Sequence, residues 1–277
     1  MGIVRREWLL FVWVVCLAGS VSVVSGAERR ASKKKGFCVT TKKGSDWQKK
    51  ISALDAKWFY SWGAQKPKQV PRNVEFTPMI WGRYALNSPK TLANLKAQGN
   101  RKEVRFLLGF NEPDQPKQSN LSVEEVIALW PQLEAIGLPL GSPGCVHPDR
   151  DWMNRFMAEV EAKNLRVDFI CVHSYGGPSA KAFVKRLRDI HENFQRPIWI
   201  TEFALGDWTA KTANENKHSP KRVAQFMREL LPMLENLDFV HRYAWFSAST
   251  ESAALGTSAL FHKDGSLTEL GRIYRDF

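Results

Sequence analysis

The 277-residue sequence predicts an α/β fold, a single (β/α)8 TIM barrel. Short runs rich in β-branched and aromatic residues alternate with amphipathic stretches, the pattern of repeated βα units around a parallel sheet. Eight such runs lie between Gly36 and the C-terminus, in about 240 residues, close to the ~250 typical of a closed eight-unit barrel. The first run leads into TTKKGSDW and not into a glycine-rich phosphate turn, which counts against a doubly wound nucleotide-binding sheet.

In chain order the predicted strands are GFCVT from Gly36, KWFYSW from Lys57, EFTPMIW from Glu75, RFLLGFNE from Arg105, PLGSPG from Pro139, VDFICVHSY from Val167, PIWITEFA from Pro197 and HRYAWFS from His241. Predicted helices begin at Ser88, Ser122, Asp151, Ser179, Ser219 and Ser266. Ser122 followed by Glu125 has the spacing of a capping box, which marks that helix start.

With 44% hydrophobic and 25% charged residues the chain is globular, and a disordered or fibrous class is excluded. Eleven Trp and sixteen Phe exceed what such a core needs, so some rings are candidates for a binding surface.

Residues 1–27 place Arg5 and Arg6 ahead of an apolar run closed by Ser25, Gly26 and Ala27, the layout of a secretory signal peptide. An uncleaved anchor helix is the rival, disfavoured by the small-residue cleavage site. Residues 28–35 read as a basic solvated linker, and 36–277 as one barrel domain with no later membrane span. Asn120-Leu121-Ser122 is a glycosylation sequon consistent with passage through a secretory pathway. Together these predict a secreted, extracellular glycoprotein, with association at a cell wall compatible with its charge.

Signal removal lowers the formal charge only from +12 to +11. A nucleic-acid-binding protein is one reading of that excess, but the basic residues are scattered and no nucleic-acid motif is present. Cys38, Cys145 and Cys171 form an odd set in apolar surroundings, where buried free thiols are favoured and at most one internal disulfide is possible. No metal-ligand spacing or cofactor motif occurs, so neither a metal nor a cofactor is expected. A monomer is the expected form.

The active site of a βα barrel lies at the C-terminal ends of its strands. There the fourth predicted strand ends in Asn111-Glu112-Pro113 and the seventh in Thr201-Glu202-Phe203. A carboxylate ending an apolar strand is costly to desolvate without partners or a task, and two in equivalent places make accident hard to sustain. Such a pair suits glycosidic cleavage, one acid protonating the leaving oxygen while the other attacks or stabilises the sugar cation.

LLGFNEPD, then VHSY, then WITEFA with its glutamate 90 residues beyond Glu112, resemble the Asl1-like glycoside hydrolases, family 128, within the clan of retaining barrels carrying acids on strands four and seven. The resemblance runs from the first strand to ALFHKDGSLTELGRIY. It implies an endo-β-1,3-glucanase acting on cell wall polysaccharide, with Glu112 as acid/base, Glu202 as nucleophile and Asn111 holding the sugar 2-hydroxyl. It places His173 and Tyr175 beside the nucleophile, Tyr175 being the better candidate to orient it. From the residues alone, His173 is equally well a buried, hydrogen-bonded core histidine.

Trp62, Trp81 and Trp245 close the second, third and eighth predicted strands and are candidates for the floor and walls of a sugar-binding groove, core filling being the alternative for each. Trp208, in the long polar segment after the seventh strand, belongs either to that groove or to a disordered lid. A noncatalytic glucan-binding protein on the same barrel is the competing function, and the second carboxylate speaks against it.

Overall fold

The apolar runs that lack polar alternation form parallel strands buried on both faces, as expected where helices cover a sheet. In the computed structural model, which describes Gly2 and residues 32–277, these are β1 (Lys35–Cys38), β2 (Trp58–Tyr60), β3 (Glu75–Phe76), β4 (Ile170–Ser174), β5 (Ile198–Phe203) and β6 (Val240–Phe246). They pair in the order β3-β2-β1-β6-β5-β4, all parallel. The segments at 105–112 and 139–144, predicted as strands, are not ladders but isolated parallel bridges: Met79 with Leu108, Leu107 with Leu140, and Gly141 with Phe169. Pro139 and Pro143 have no N–H to continue a ladder. Gly109 lies so close to the neighbouring backbone that an added Cβ would meet the Gly141 and Ser142 carbonyls at 2.9 Å.

Seven helices accompany the sheet among the described residues: α1 (Trp47–Ala53), α2 (Pro89–Asn100), α3 (Val123–Glu134), α4 (Asp151–Ala162), α5 (Ala180–Phe194), α6 (Pro220–Glu235) and α7 (Glu269–Asp276). The hydroxyls of Ser88, Ser122, Ser179 and Ser219 accept first-turn N–H groups of α2, α3, α5 and α6, and Ser122 with Glu125 completes the capping box. The last helix starts later than its predicted Ser266, capped by Thr268, because Ser266 is held in a turn by Asp264. Helix α1 has no periodic signal. It buries only Trp47 and Ile51 and carries no side-chain cap.

Helices α5 and α6 bury Phe183, Leu187, Ile190, Phe226, Leu230 and Leu234 against the outer face of the sheet. Each such side chain contributes about 1.5–3 kcal/mol by leaving water. The opposite face of the sheet gathers a second apolar cluster that includes Trp58, Tyr60, Met79, Leu108, Phe169 and Trp199. Arg242 lies over the rings of Trp58, Phe106 and Trp199, 4.2–5.4 Å from their centroids, and pairs with Glu75 at 2.8 Å.

The expected linker is corrected at its end. Ser32 is buried against Glu235, Lys34 donates to the carbonyls of Leu234 and Glu235 at the end of α6 and of Leu237 just beyond it, and Lys35 lies within β1, donating to the carbonyls of Tyr274 and Arg275 at the end of α7. Burial pulls the Lys35 ammonium down to about 8. The predicted signal segment lies outside the described residues apart from Gly2, as do residues 28–31. Among the described residues no helix is long and apolar enough to cross a membrane. Cys38, Cys145 and Cys171 are all free and buried.

Candidate active site

Parallel strands end on one side of the sheet, and there the chain builds a cleft of about 1290 Å3. Glu202 is the fifth of the six residues of β5 and Phe246 closes β6, while Tyr175 and Trp62 follow the ends of β4 and β2 by one and two residues. Glu112 follows the bridged segment through Asn111, whose own bridge is to Gly144. A register shift between Val172 and His173 makes His173 face Glu202, the local irregularity by which a strand re-aims a side chain.

Glu202 is 4% exposed yet well provided with donors. Its Oε1 accepts from the Tyr60 hydroxyl and the Trp62 indole N–H, each at 2.7 Å, and its Oε2 accepts from the Tyr175 hydroxyl. Burial and the Glu202 charge push both phenols well above their ordinary range, which keeps them protonated as donors. Glu112 Oε1 lies 2.7 Å from His173 Nδ1, which is itself 3.5 Å from Glu202 Oε2. Burial opposes charge on His173, but the carboxylates of Glu202, Glu112 and Asp114 outweigh it, so its pKa is raised.

Two cleft residues sit in the left-handed backbone region, Trp62 at φ 55° and Glu112 at φ 41°. Neither is glycine, and such strain costs on the order of 1–3 kcal/mol and persists only where the surroundings impose it. Around Glu112 they do. Its N–H donates to Gly144 at 2.8 Å, its carbonyl accepts from Gln115, and Asp114 accepts from the backbone of Val146 and His147.

One oxygen each of Glu112 and Glu202 and one nitrogen of His173 all lie within 4.8 Å of one another. This is a donor set that a metal ion would accept. Glu112 and His173 already bond each other, however, and an ion would have to break that contact.

The structure therefore brings Asn111, Glu112, Glu202, Tyr175, Trp62 and Trp81 to one cleft, with His173 buried directly behind it. Asn111 is buried, its amide nitrogen 3.4 Å from Gln118 and its Oδ1 without a partner among the described residues. Trp245 is a correction. It points to the helix-facing side, fully buried against Phe203 and Tyr274, with its indole N–H on the Ser258 carbonyl. Residues alternate across a strand, so the aromatic that β6 presents to the cleft is Phe246.

Trp208 lines the cleft, 66% exposed, edge-on to Tyr175. Its loop is tied down, not loose. Asp207 accepts from Thr209 and Lys217, and Asn216 donates to the Ala253 and Ala254 carbonyls. Those hydrogen bonds, led by Thr209, hold the Asp207 carboxyl well below the usual range.

Sequence reasoning missed Tyr60, although it stands two residues before Trp62 and so on the same strand face. It also missed Gly144, where an added Cβ would fall 2.7 Å from His173 Nε2.

Residues 36–274 match the family described as glycosyl hydrolase catalytic core. The chain is 30% identical over 229 residues to alkali-sensitive linkage protein 1 of Schizosaccharomyces pombe, covering 78% of this chain and 39% of that protein, so it spans well under half the length of that relative. It is 36% identical to a family 128 subgroup I endo-β-1,3-glucanase of Amycolatopsis mediterranei solved with laminaritriose, with TM-score 0.77 over 88% of this chain and 99% of that one. A subgroup II endo-β-1,3-glucanase of Sorangium cellulosum is 28% identical, with TM-score 0.69 over 87% of this chain and 97% of that one. With two buried glutamates facing one cleft and a match over nearly the whole described chain, the protein belongs to the glycosyl hydrolase catalytic core family, within glycoside hydrolase family 128.

Proposed function

We propose that this chain is a secreted, retaining endo-β-1,3-glucanase acting on cell wall polysaccharide. The observation that carries the reading is the approach of Glu112 and Glu202 oxygens to within 4.8 Å in an open cleft. Retaining glycosidases hold their carboxyl groups about 5–5.5 Å apart, whereas inverting ones need about 6.5–9.5 Å to admit a water.

Glu112 gives its proton to the glycosidic oxygen as Glu202 attacks the anomeric carbon, forming a glycosyl ester and releasing the reducing-end fragment. Glu112 then takes a proton from water, which attacks the same carbon and frees Glu202. Tyr60, Trp62 and Tyr175 fix the nucleophile through three donated hydrogen bonds, and His173 orients Glu112. The unpartnered Asn111 Oδ1 accepts the sugar 2-hydroxyl, a bond that strengthens as the transition state forms. Trp62, Trp81, Trp208 and Phe246 supply flat walls for sugar faces. The cleft volume exceeds the ~300–1,000 Å3 of ordinary small-molecule pockets, as several sugar units require.

The same reading takes the sheet as a closed (β/α)8 barrel, supported by the bridges at Leu107–Leu108 and Leu140–Gly141 that join β3 to β4. It takes residues 1–27 as a cleaved signal and Asn120 as glycosylated. Asn120 is exposed in a left-handed turn just before α3. Mass spectrometry of secreted protein should find an N-terminus near Glu28 and glycan on Asn120. Incubation of purified protein with a panel of β-glucans, followed by product sizing, tests the activity: internal cleavage of β-1,3-glucan supports it, and inertness toward every β-glucan refutes it.

A further inference from the structure

The cleft holds more positive charge than cleavage of a neutral glucan uses. One wall is built from two loops, residues 113–119 and 145–150. Asp114 clamps them together by accepting from the N–H groups of Val146 and His147 at 3.1 and 2.9 Å. Lys117 on the first loop and Arg150 on the second line the cleft and are exposed, and among the described residues neither side chain meets an acid. Further along the same cleft are Arg186, bonded to Asp149 at 2.6 Å, and Lys217, 3.4 Å from Asp207. Apart from Glu112 and Glu202, Asp149 is the one acid lining the cleft among the described residues; with Arg186 matched by Asp149 and Lys217 by Asp207, Lys117 and Arg150 are the two lining cations left without an acid.

Surface cations such as Lys43, Lys90 and Lys221 also lack an acid partner among the described residues, but Lys117 and Arg150 stand on the cleft wall. Unmatched cations fixed on a concave wall focus their field into the groove, where a bound chain must pass. A neutral β-1,3-glucan offers them only hydroxyl oxygens, while a carboxylate meets both a lysine point charge and a forked guanidinium.

We propose that this wall binds carboxylates carried on the glucan chain, making acid-substituted β-1,3-glucan the preferred substrate class. The inference rests on the glucanase reading above for its polymer but not for its charge preference. Wild type and the double variant Lys117→Gln/Arg150→Gln, both as full-length secreted protein, are compared on neutral laminarin and on laminarin partly oxidised at C6 to the carboxylate.

In wild type at low ionic strength, kcat/KM for the oxidised polymer should exceed that for the neutral one by about fivefold or more. The ratio should fall toward one in the double variant, and also in about 0.3 M salt, where charges screen within about 6 Å. A wild-type ratio of one or less overturns the proposal, as does a ratio the double variant keeps. Polygalacturonate added to neutral laminarin forms a further arm. Equal stimulation there would mean the cations hold a separate acidic polymer, and the proposal fails. Affinity electrophoresis of wild type and the double variant through the two laminarins is run in parallel. Turnover of neither polymer would sink the glucanase reading alone, and retardation by the oxidised polymer that is stronger for wild type than for the double variant would still support the wall, its absence refuting it.

Discussion

Gly144→Ala tests how tightly Glu112, the proposed acid/base, is held, because the substitution touches neither carboxylate. A Cβ at position 144 would lie 2.7 Å from His173 Nε2, and ordinary contact begins at 3.4 Å, so ring or backbone must yield by about 0.7 Å. The ring has nowhere to go. Its other nitrogen already stands 2.7 Å from Glu112 Oε1, and pushing from the Nε2 side drives Nδ1 into that carboxylate. The backbone is no freer, since Gly144 accepts from Glu112 N–H and donates to the Phe110 carbonyl. A displacement approaching 1 Å at a reacting group costs on the order of 100-fold in rate, and overpacking a tight site costs ~1–3 kcal/mol in stability. The assays are kcat on a laminari-oligosaccharide and the urea midpoint. Gly63→Ala is the control, its Cβ meeting only the Ser61 carbonyl at 3.9 Å. Wild-type turnover by Gly144→Ala at wild-type stability would refute both the rigidity of this wall and the positioning role of His173.

Glu202→Ala should abolish turnover on every substrate, while Glu112→Ala should spare substrates whose leaving group needs no protonation; equal losses on activated and natural substrates would mean the two roles are misassigned. Tyr60→Phe and Tyr175→Phe each remove one donor to a charged oxygen, so kcat should fall about 10- to 100-fold, the rate equivalent of ~1.5–3 kcal/mol, with a smaller change in KM. His173 binds its proton more tightly in the folded chain than at the unfolded value of 6.5, so its contribution to stability is complete below that pH and lost as pH rises through the raised folded value. Denaturation midpoints of wild type should accordingly drop over that alkaline-going window, and His173→Gln should flatten the drop. Arg242→Ala leaves the half-buried Glu75 carboxylate with only the more exposed Arg105 for a partner and removes the cation from three rings, which should cost about 1–3 kcal/mol by urea titration.

What the sequence made legible is what local chemistry decides. Serine caps marked the starts of α2, α3, α5 and α6 because a hydroxyl followed by an amphipathic run satisfies orphan N–H groups whatever surrounds it. Glu112 and Glu202 stood out because a carboxylate ending an apolar run is out of place unless something pairs with it. Features set by tertiary approach were hidden. The runs at 105–112 and 139–144 read as strands, but prolines and the close approach at Gly109 reduce them to single bridges. Trp245 was misplaced by one step of alternation, the error that puts a side chain on the opposite face. Lys35 looked like solvated charge, since nothing near it in sequence reveals the carbonyls of Tyr274 and Arg275, more than two hundred residues away. Helix α1 had too few buried positions to leave a period.

The pairing of Glu112 with Glu202 as acid/base and nucleophile is tested most directly by the stereochemistry of the first product. Proton NMR of the reaction with a β-1,3-glucan oligosaccharide, read before mutarotation, follows the anomeric signal of the newly formed reducing end. The nearest carboxylate oxygens lie within 4.8 Å, which suits the short spacing of retaining pairs, so on the proposed reading two displacements occur and the β-anomer should appear first. An initial α-anomer signal would contradict the double displacement and remove Glu202 from the role of nucleophile.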